Sequence, residues 1–176
     1  LSSLHSYSAI AKGFQISPDL VANYIRALTD AYLVFEVERY HRNLKVQFRD
    51  PRKVYVIDTG LRRVATRSVE DDTGKLLENL VYLELRRRKL TTRYFKGHYE
   101  VDFLVLDKYQ PVQAIQVCAT GLDQLPTRNR EIAGLTECMH ECGLEEGEIV
   151  TLDHEELVEL PDGKKVRMTP IYRWLR

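Results

Sequence analysis

The sequence predicts a mixed α/β (α+β) chain in two parts, a winged helix-turn-helix over residues 1–68 and an α-β-β-β-α-β unit with a mixed sheet over residues 69–176. Three observations lead there. Helical apolar spacing is confined to a few segments, and between them lie short runs rich in β-branched and aromatic residues. Near the start, two helical segments flank a tight turn and two extended runs follow. The charge also changes sign along the chain: residues 1–68 carry 11 basic and 6 acidic side chains, residues 69–176 carry 15 and 20.

Composition narrows the class. A hydrophobic share of 44% in 176 residues suits a globular core and excludes disordered and fibrous chains. With 26 basic and 26 acidic residues, no global excess attracts nucleic acid or an anionic membrane, so any such attraction is local. The apolar runs fall far short of the roughly 20 residues that cross a bilayer, and no leader pattern opens the chain. A soluble, cytoplasmic protein without a membrane partner is expected. Cys118, Cys138 and Cys142 have neither zinc-finger nor disulfide-scaffold spacing and are expected as free thiols. The text opens on Leu1 in mid-pattern, which reads as a fragment with its N-terminal part missing.

A short helix over residues 8–12 is expected to end at Gly13. Ser17-Pro18-Asp19 then supplies an N-cap, a proline at the first helical position and a first-turn acid. In this second helix Leu20, Val21, Tyr24, Ile25 and Leu28 form one stripe, expected to be buried, while Asp19, Asn23, Arg26 and Asp30 face outward. Extended runs over 33–40 and 53–57 make a hairpin around the polar tract 41–45, completing a winged-helix plan. Asp58 caps a brief helix to about residue 66, and the polar stretch 67–72 marks the boundary.

The second unit begins with a helix over 74–89, with Leu76, Leu77, Leu80, Val81 and Leu85 on one side and the basic run 86–89 at its C-terminal end, expected as a solvated helix end. Strands follow over 92–95, 99–106 and 111–118, then a helix over 126–142 and a strand over 148–152. A hairpin around Pro161-Asp162-Gly163 and a short amphipathic end containing Trp174, read as packing or a subunit contact, complete the chain.

Two surfaces carry candidate chemistry. Period two places Glu100, Asp102 and Leu104 on one face of their strand and Val101, Phe103 and Val105 on the other. On the next strand Ala114, Gln116 and Cys118 share a face. Asp102, Gln116 and Cys118 can therefore converge, with Glu78 reaching in from the preceding helix. Two carboxylates with a further oxygen donor suit a hard ion such as Mg²⁺ or Mn²⁺, which can polarise a phosphodiester; the alternative is a pair of structural ion pairs. On the first unit Asn23 and Arg26 face outward from the second helix, and Arg39, Arg42, Lys45, Arg49, Arg52 and Lys53 crowd the wing. They suit sequence-independent contact with the phosphates of double-stranded DNA, while Asp19 and Asp30 oppose base readout. A protein-docking or homo-oligomer role for this unit stays open beside it.

Gly74-x-x-x-Glu78, Glu100-Val101-Asp102-Phe103-Leu104-Val105 and Ile115-Gln116-Val117-Cys118 resemble the PD-(D/E)XK, or restriction-endonuclease-like, nuclease fold, with its α-β-β-β-α-β order. With the preceding winged helix and the ending Pro170-Ile171-Tyr172-Arg173-Trp174-Leu175, nearly the whole chain is similar to the C-terminal region of prokaryotic, especially archaeal, AAA-type ATPases. This implies a P-loop ATPase core in cis upstream; the chain itself contains no Gly-x-x-x-x-Gly-Lys-Ser/Thr and is expected not to bind ATP. The resemblance implies a degenerate metal and catalytic set of Glu78, Asp102 and Gln116, because the family signature has Glu and Lys where this chain has Gln116 and Cys118. Loss of that lysine is worth about 2.7–4 kcal/mol of transition-state stabilisation if nothing replaces it. Lys96, Arg128 and Arg130 are candidates for a migrated cation. The expectation is an accessory region that contacts DNA and is not an efficient nuclease; an active Mg²⁺-dependent endonuclease and a protein-interaction module are the alternatives. Glu84 is read as a buried structural partner, and Cys138 and Cys142 with His140 as core residues rather than a zinc site.

Overall fold

The computed structural model describes residues 4–43, 50–66 and 72–176. Lys45, Arg49 and the expected boundary at residue 68 lie outside them. The elements in order are β1 (Leu4–His5), α1 (Tyr7–Phe14), α2 (Pro18–Asp30), β2 (Val34–Val37), β3 (Arg52–Val56), α3 (Thr59–Thr66), α4 (Thr73–Arg87), β4 (Thr91–Lys96), β5 (Glu100–Asp107), β6 (Gln110–Cys118), α5 (Leu125–Cys142), β7 (Glu146–Thr151), β8 (Glu156–Glu159), β9 (Lys165–Pro170) and α6 (Ile171–Trp174). The class is mixed α/β with two sheets. Among the described residues these sheets have the strand orders β1-β3-β2 and β4-β5-β6-β7-β9-β8.

Local chemistry sets the helix ends. The Ser17 hydroxyl accepts a hydrogen bond from the Leu20 N–H at 3.2 Å, the N-cap bond the sequence led us to expect. Asp58 does the same for Leu61 at 2.7 Å. Helix α1 runs through Gly13 instead of ending there, and stops where Gln15 turns left-handed at φ 55°. Gly143 ends α5 at φ 70°, its N–H bonded to the Met139 carbonyl, a conformation that favours glycine.

The six-stranded sheet carries a layer on each face. Strands β4, β5 and β6 pair antiparallel, and β6, β7 and β9 run parallel. A parallel neighbour requires a crossover, and α5 supplies it between β6 and β7. On the α5 face Val101, Leu104, Ala114, Cys118, Leu135, Cys138, Met139 and Ile149 are buried together. On the other face Val81, Tyr82 and Leu85 of α4 pack on Phe103, Val105 and Ile115, and Trp174 closes the cluster.

That second cluster joins the two expected units. Phe35, Val37 and Tyr55 of the β2–β3 hairpin belong to it as fully as the residues of α4 and β5 do. The Tyr55 ring stacks on Tyr82 with centroids 4.4 Å apart, and Phe35 lies 5.9 Å from Tyr82. Buried Asn79 of α4 behaves like a strand neighbour, accepting from the Val56 N–H at 2.9 Å and donating to its carbonyl at 3.0 Å. Further on, the Tyr40 N–H donates to the Tyr94 carbonyl at 2.7 Å and the Tyr94 N–H to the Glu38 carbonyl at 3.0 Å.

Two expectations change. Strict alternation along β5 fails, since Val101 sits with Leu104 on the α5 face while Phe103 and Val105 face α4. The register explains it: Arg93 pairs with Leu104 but Phe95 with Val101, so β5 has one residue more than β4 and bulges at Asp102–Phe103. The stripe on α2 is also largely uncovered. Val21 is buried, but Leu20, Tyr24 and Leu28 are 37%, 59% and 39% exposed, because the described elements packed on α2 cover only the Val21 side. Among the described residues no helix is long and apolar enough to cross a membrane.

A core shared this way should unfold as one. Tyr82→Ala removes the ring that meets Phe35, Tyr55 and Phe103 and should cost about 3–5 kcal/mol. In urea melts, Trp174 fluorescence and far-UV circular dichroism should shift together; two separated transitions would mean that hairpin and sheet fold independently.

Candidate functional site: an acid cluster closed by a buried lysine

Helix α4, strand β5 and strand β6 bring Glu78, Asp102 and Gln116 to one hollow of about 320 Å³, which Asp72, Gly74, Lys75, Val117, Arg130 and Glu131 also line. The bulge in β5 shapes this place. The Asp102 N–H donates to Gln116 Oε1 at 3.0 Å, and Asp102 Oδ2 accepts from the Val117 N–H at 3.0 Å. The convergence expected from strand pattern and helix spacing is thus realised for these three residues. It is not realised for Cys118, whose Sγ–H donates to the Thr120 carbonyl at 3.3 Å under a separate hollow. Burial, the leading cause, pushes that thiol up to about 11, with the Glu131 charge adding to it.

The decisive residue comes from the hairpin. The sequence groups Lys53 with the wing cations, but its side chain is 1% exposed and its Nζ lies 2.6 Å from Asp102 Oδ1, 2.8 Å from Glu100 Oε1 and 3.1 Å from Glu78 Oε1. Two residues along the same strand face, the Tyr55 hydroxyl donates to Glu78 Oε1 at 2.8 Å. Lys75 donates to Glu78 Oε2 at 2.7 Å. Burial alone would pull the Lys53 ammonium's pKa down; the charges of Asp102, Glu78 and Glu100 outweigh it and raise it instead. Glu78 is raised by burial and by Asp102, against the opposing pull of Lys53 and Lys75. Tyr55 is pushed well up, first by burial and then by the Glu78 charge.

This arrangement bears on the metal that the resemblance implied. All four carboxylate oxygens of Glu78 and Asp102 already accept hydrogen bonds, and the Gln116 carbonyl is taken by the Asp102 N–H. Gln116 Nε2 is committed to Glu131 Oε2 at 2.6 Å. A divalent ion would have to share these oxygens with their donors and sit beside a fixed ammonium that repels it, so the set does not fit Mg²⁺ or Mn²⁺ as it stands.

The other candidate cations divide. Arg130 lines the hollow but is held by Glu131 at 2.5 Å, and Lys96 stands 3.7 Å from Glu100. Arg128 is spent on Glu156 at 2.5 Å, away from the acids. On the expected nucleic-acid face, Asn23 and Arg26 are exposed on α2, and Arg42 is exposed while donating to the Glu141 carbonyl at 3.1 Å. Arg39 and Arg52 turn inward: Arg39 pairs with Asp50 at 2.8 Å, and Arg52 with Glu36 at 2.9 Å and Glu38 at 3.5 Å. These pairs and the burial of Lys53 remove much of the free charge expected on the wing. One signal in the sequence bears on Lys53. It shares strand parity with Tyr55, but it stands beside Arg52 at the head of the apolar run 54–57, so this signal does not separate it from the exposed cations.

Glu84 takes the structural part expected of it, accepting from Arg87 Nε at 2.7 Å and Arg88 Nε at 2.6 Å. Cys138 is buried in the α5 core, and His140 pairs with Asp162 at 3.0 Å.

Two outcomes follow from this geometry. Gln116→Glu sets a second carboxylate against Glu131 and should lower stability by about 1–3 kcal/mol in urea melts at neutral pH. The Arg87 hydrogen bond, chief among its causes, holds the Glu84 carboxyl at about 2 against an ordinary 4.5. A depressed acid stabilises fully above its unfolded value and less below it, so Glu84→Gln should lower the Tm at pH 7, with the gap to wild type narrowing as pH falls from 4.5 toward 2.

A protein family described as Domain of unknown function (DUF8612) matches residues 1–72. The chain is 31% identical over 170 residues to Uncharacterized protein MJ1544 of Methanocaldococcus jannaschii, an alignment covering 91% of this chain and 37% of that protein. It is 29% identical over 85 residues to an uncharacterized protein of Haemophilus influenzae, covering 48% of this chain and 21% of that one. The chain therefore spans well under half the length of these relatives. No solved structure is significantly similar to it.

Proposed function

We propose that this chain is an accessory region of a longer AAA-type ATPase, a winged helix followed by a nuclease-like domain, which contacts duplex DNA without cleaving it efficiently. The observation that carries the reading is the acid cluster closed by Lys53: the carboxylates gather as a nuclease-like site needs, but their charge is answered from within the fold. The helix and strand order of residues 73–151 supports the nuclease-like part, and the two helices followed by a hairpin support the winged helix. The greater length of the relatives supports a place within a larger polypeptide. DNA contact falls to the cations that stay outside, Arg26 and Arg42 with Asn23, and is sequence-independent.

A second reading has an observation of its own. Leu20, Tyr24 and Leu28 line the exposed side of α2, between Asp19 and Asp30, which repel phosphate. This composition favours a protein surface, whether of the remainder of the polypeptide or of a second copy.

Fluorescence anisotropy with a labelled duplex separates the two. We expect weak binding that falls steeply with salt, and Arg26→Ala with Arg42→Ala should lower the slope of log K against log salt by about 2. Unchanged binding in that variant would transfer the surface to the docking reading. Plasmid incubated with the protein and Mg²⁺ or Mn²⁺ should show no cleavage above background. Robust cleavage abolished by Asp102→Ala would instead establish a working endonuclease.

A further inference from the structure

We propose that Lys53 is the resident counter-cation of the acid cluster: its ammonium supplies from within the fold the charge that a divalent ion would otherwise bring, and in doing so latches the β2–β3 hairpin onto the site.

The ammonium has three donors, and it meets three carboxylate oxygens, from Asp102, Glu100 and Glu78, at 2.6, 2.8 and 3.1 Å. Two of these contacts are hydrogen bonds, to Asp102 Oδ1 and Glu78 Oε1, and the third, to Glu100, is an ion pair. The surrounding charges balance as well. Lys53, Lys75 and Lys96 stand within ion-pair distance of Glu78, Glu100 and Asp102, three against three. A divalent ion entering this cluster gains no net negative charge to neutralise. It also meets a cation that is shut off from solvent, since the Lys53 side chain is 1% exposed and its Nζ lies over the Tyr94 ring, 6.0 Å from the centroid.

Lys53 does not line the hollow. It reaches the acids from the hairpin side, so the hollow and the hairpin compete for the same carboxylates. Withdrawing the hairpin would leave the three acids with Lys75 and Lys96 alone, an excess of one negative charge centred on Asp102, unless another cation took its place. Hairpin docking and divalent binding are therefore antagonistic, each weakening the other by the same factor. This inference does not require that the chain contact DNA, and it survives the docking reading unchanged.

Mn²⁺ itself is the probe, followed by the electron paramagnetic resonance of the free ion and by thermal melts with and without it. Wild type should show no saturable binding and no Tm shift. Lys53→Met should melt lower without Mn²⁺, bind one ion per chain on the order of a hundredfold or more tighter than wild type, and regain stability with it. Adding Asp102→Asn to Lys53→Met should abolish that gain. Saturable binding to wild type that Asp102→Asn removes, or a folded Lys53→Met that gains none, would overturn the proposal. Should Lys53→Met not fold, acetic anhydride labelling of the native chain read by mass spectrometry carries the test. Lys53 should label far more slowly than exposed Lys12, and Asp102→Asn should speed its labelling while leaving Lys12 unchanged. Equal labelling of Lys53 and Lys12 in wild type would also overturn the latch.

Discussion

An ammonium held out of water must be answered by acids or lose its proton, and at Lys53 three carboxylates from two elements answer it. The constraint acts in both directions. Glu78 and Asp102 are themselves buried and line one hollow, and without Lys53 their like charges would oppose each other with Lys75 left on Glu78. Removing one member of such a group typically costs about 3–5 kcal/mol, mostly through the charge left behind. The position of β3 against α4 and β5 is therefore determined as much by charge as by apolar contact.

Around the ion cluster the aromatic residues do the remaining work. Tyr55 stacks on Tyr82, and Phe35 and Phe103 flank the pair, so the hairpin and the sheet bury one continuous surface. Asn79 completes the seam by satisfying both backbone groups of Val56, which would otherwise be buried without partners. At the far end of α4, Glu84 gathers Arg87 and Arg88. Arg88 in turn donates to the Trp174 carbonyl at 2.6 Å and lies 4.6 Å from the Trp174 ring centroid. One helix thus ties the hairpin at its start and the C-terminal turn at its end.

The functional consequence is a division between a neutralised interior and an uneven exterior. The place where a nuclease-like fold would do chemistry has its charges matched internally, whereas α2 presents exposed apolar side chains with Arg26 beside them. Several cations of the hairpin and its flanks are bound to acids of the same unit, Arg52 to Glu36 and Glu38, Arg39 to Asp50. Such pairing lowers the positive potential a duplex would feel, which is why the DNA contact proposed above is expected to be weak and salt-sensitive.

Much of this was legible in the residues themselves. The caps at Ser17 and Asp58 and most of the order of helices and strands depend on bonds or periodicities a few residues long, so the sequence alone determined them; the residues Glu78, Asp102 and Gln116 could be singled out there, but their meeting needed the docking of α4 and the pairing of β5 with β6. Three further features were not local. The bulge at Asp102–Phe103 depends on how β4 pairs with β5, and the exposure of Tyr24 depends on which elements cover α2. Lys53 lies 25 residues from Glu78 and 49 from Asp102, so its partners were decided only when the hairpin docked. A lysine in a strand reads the same whether it ends in water or among acids, because the side chain's environment is a property of the packed chain and not of its neighbours in sequence.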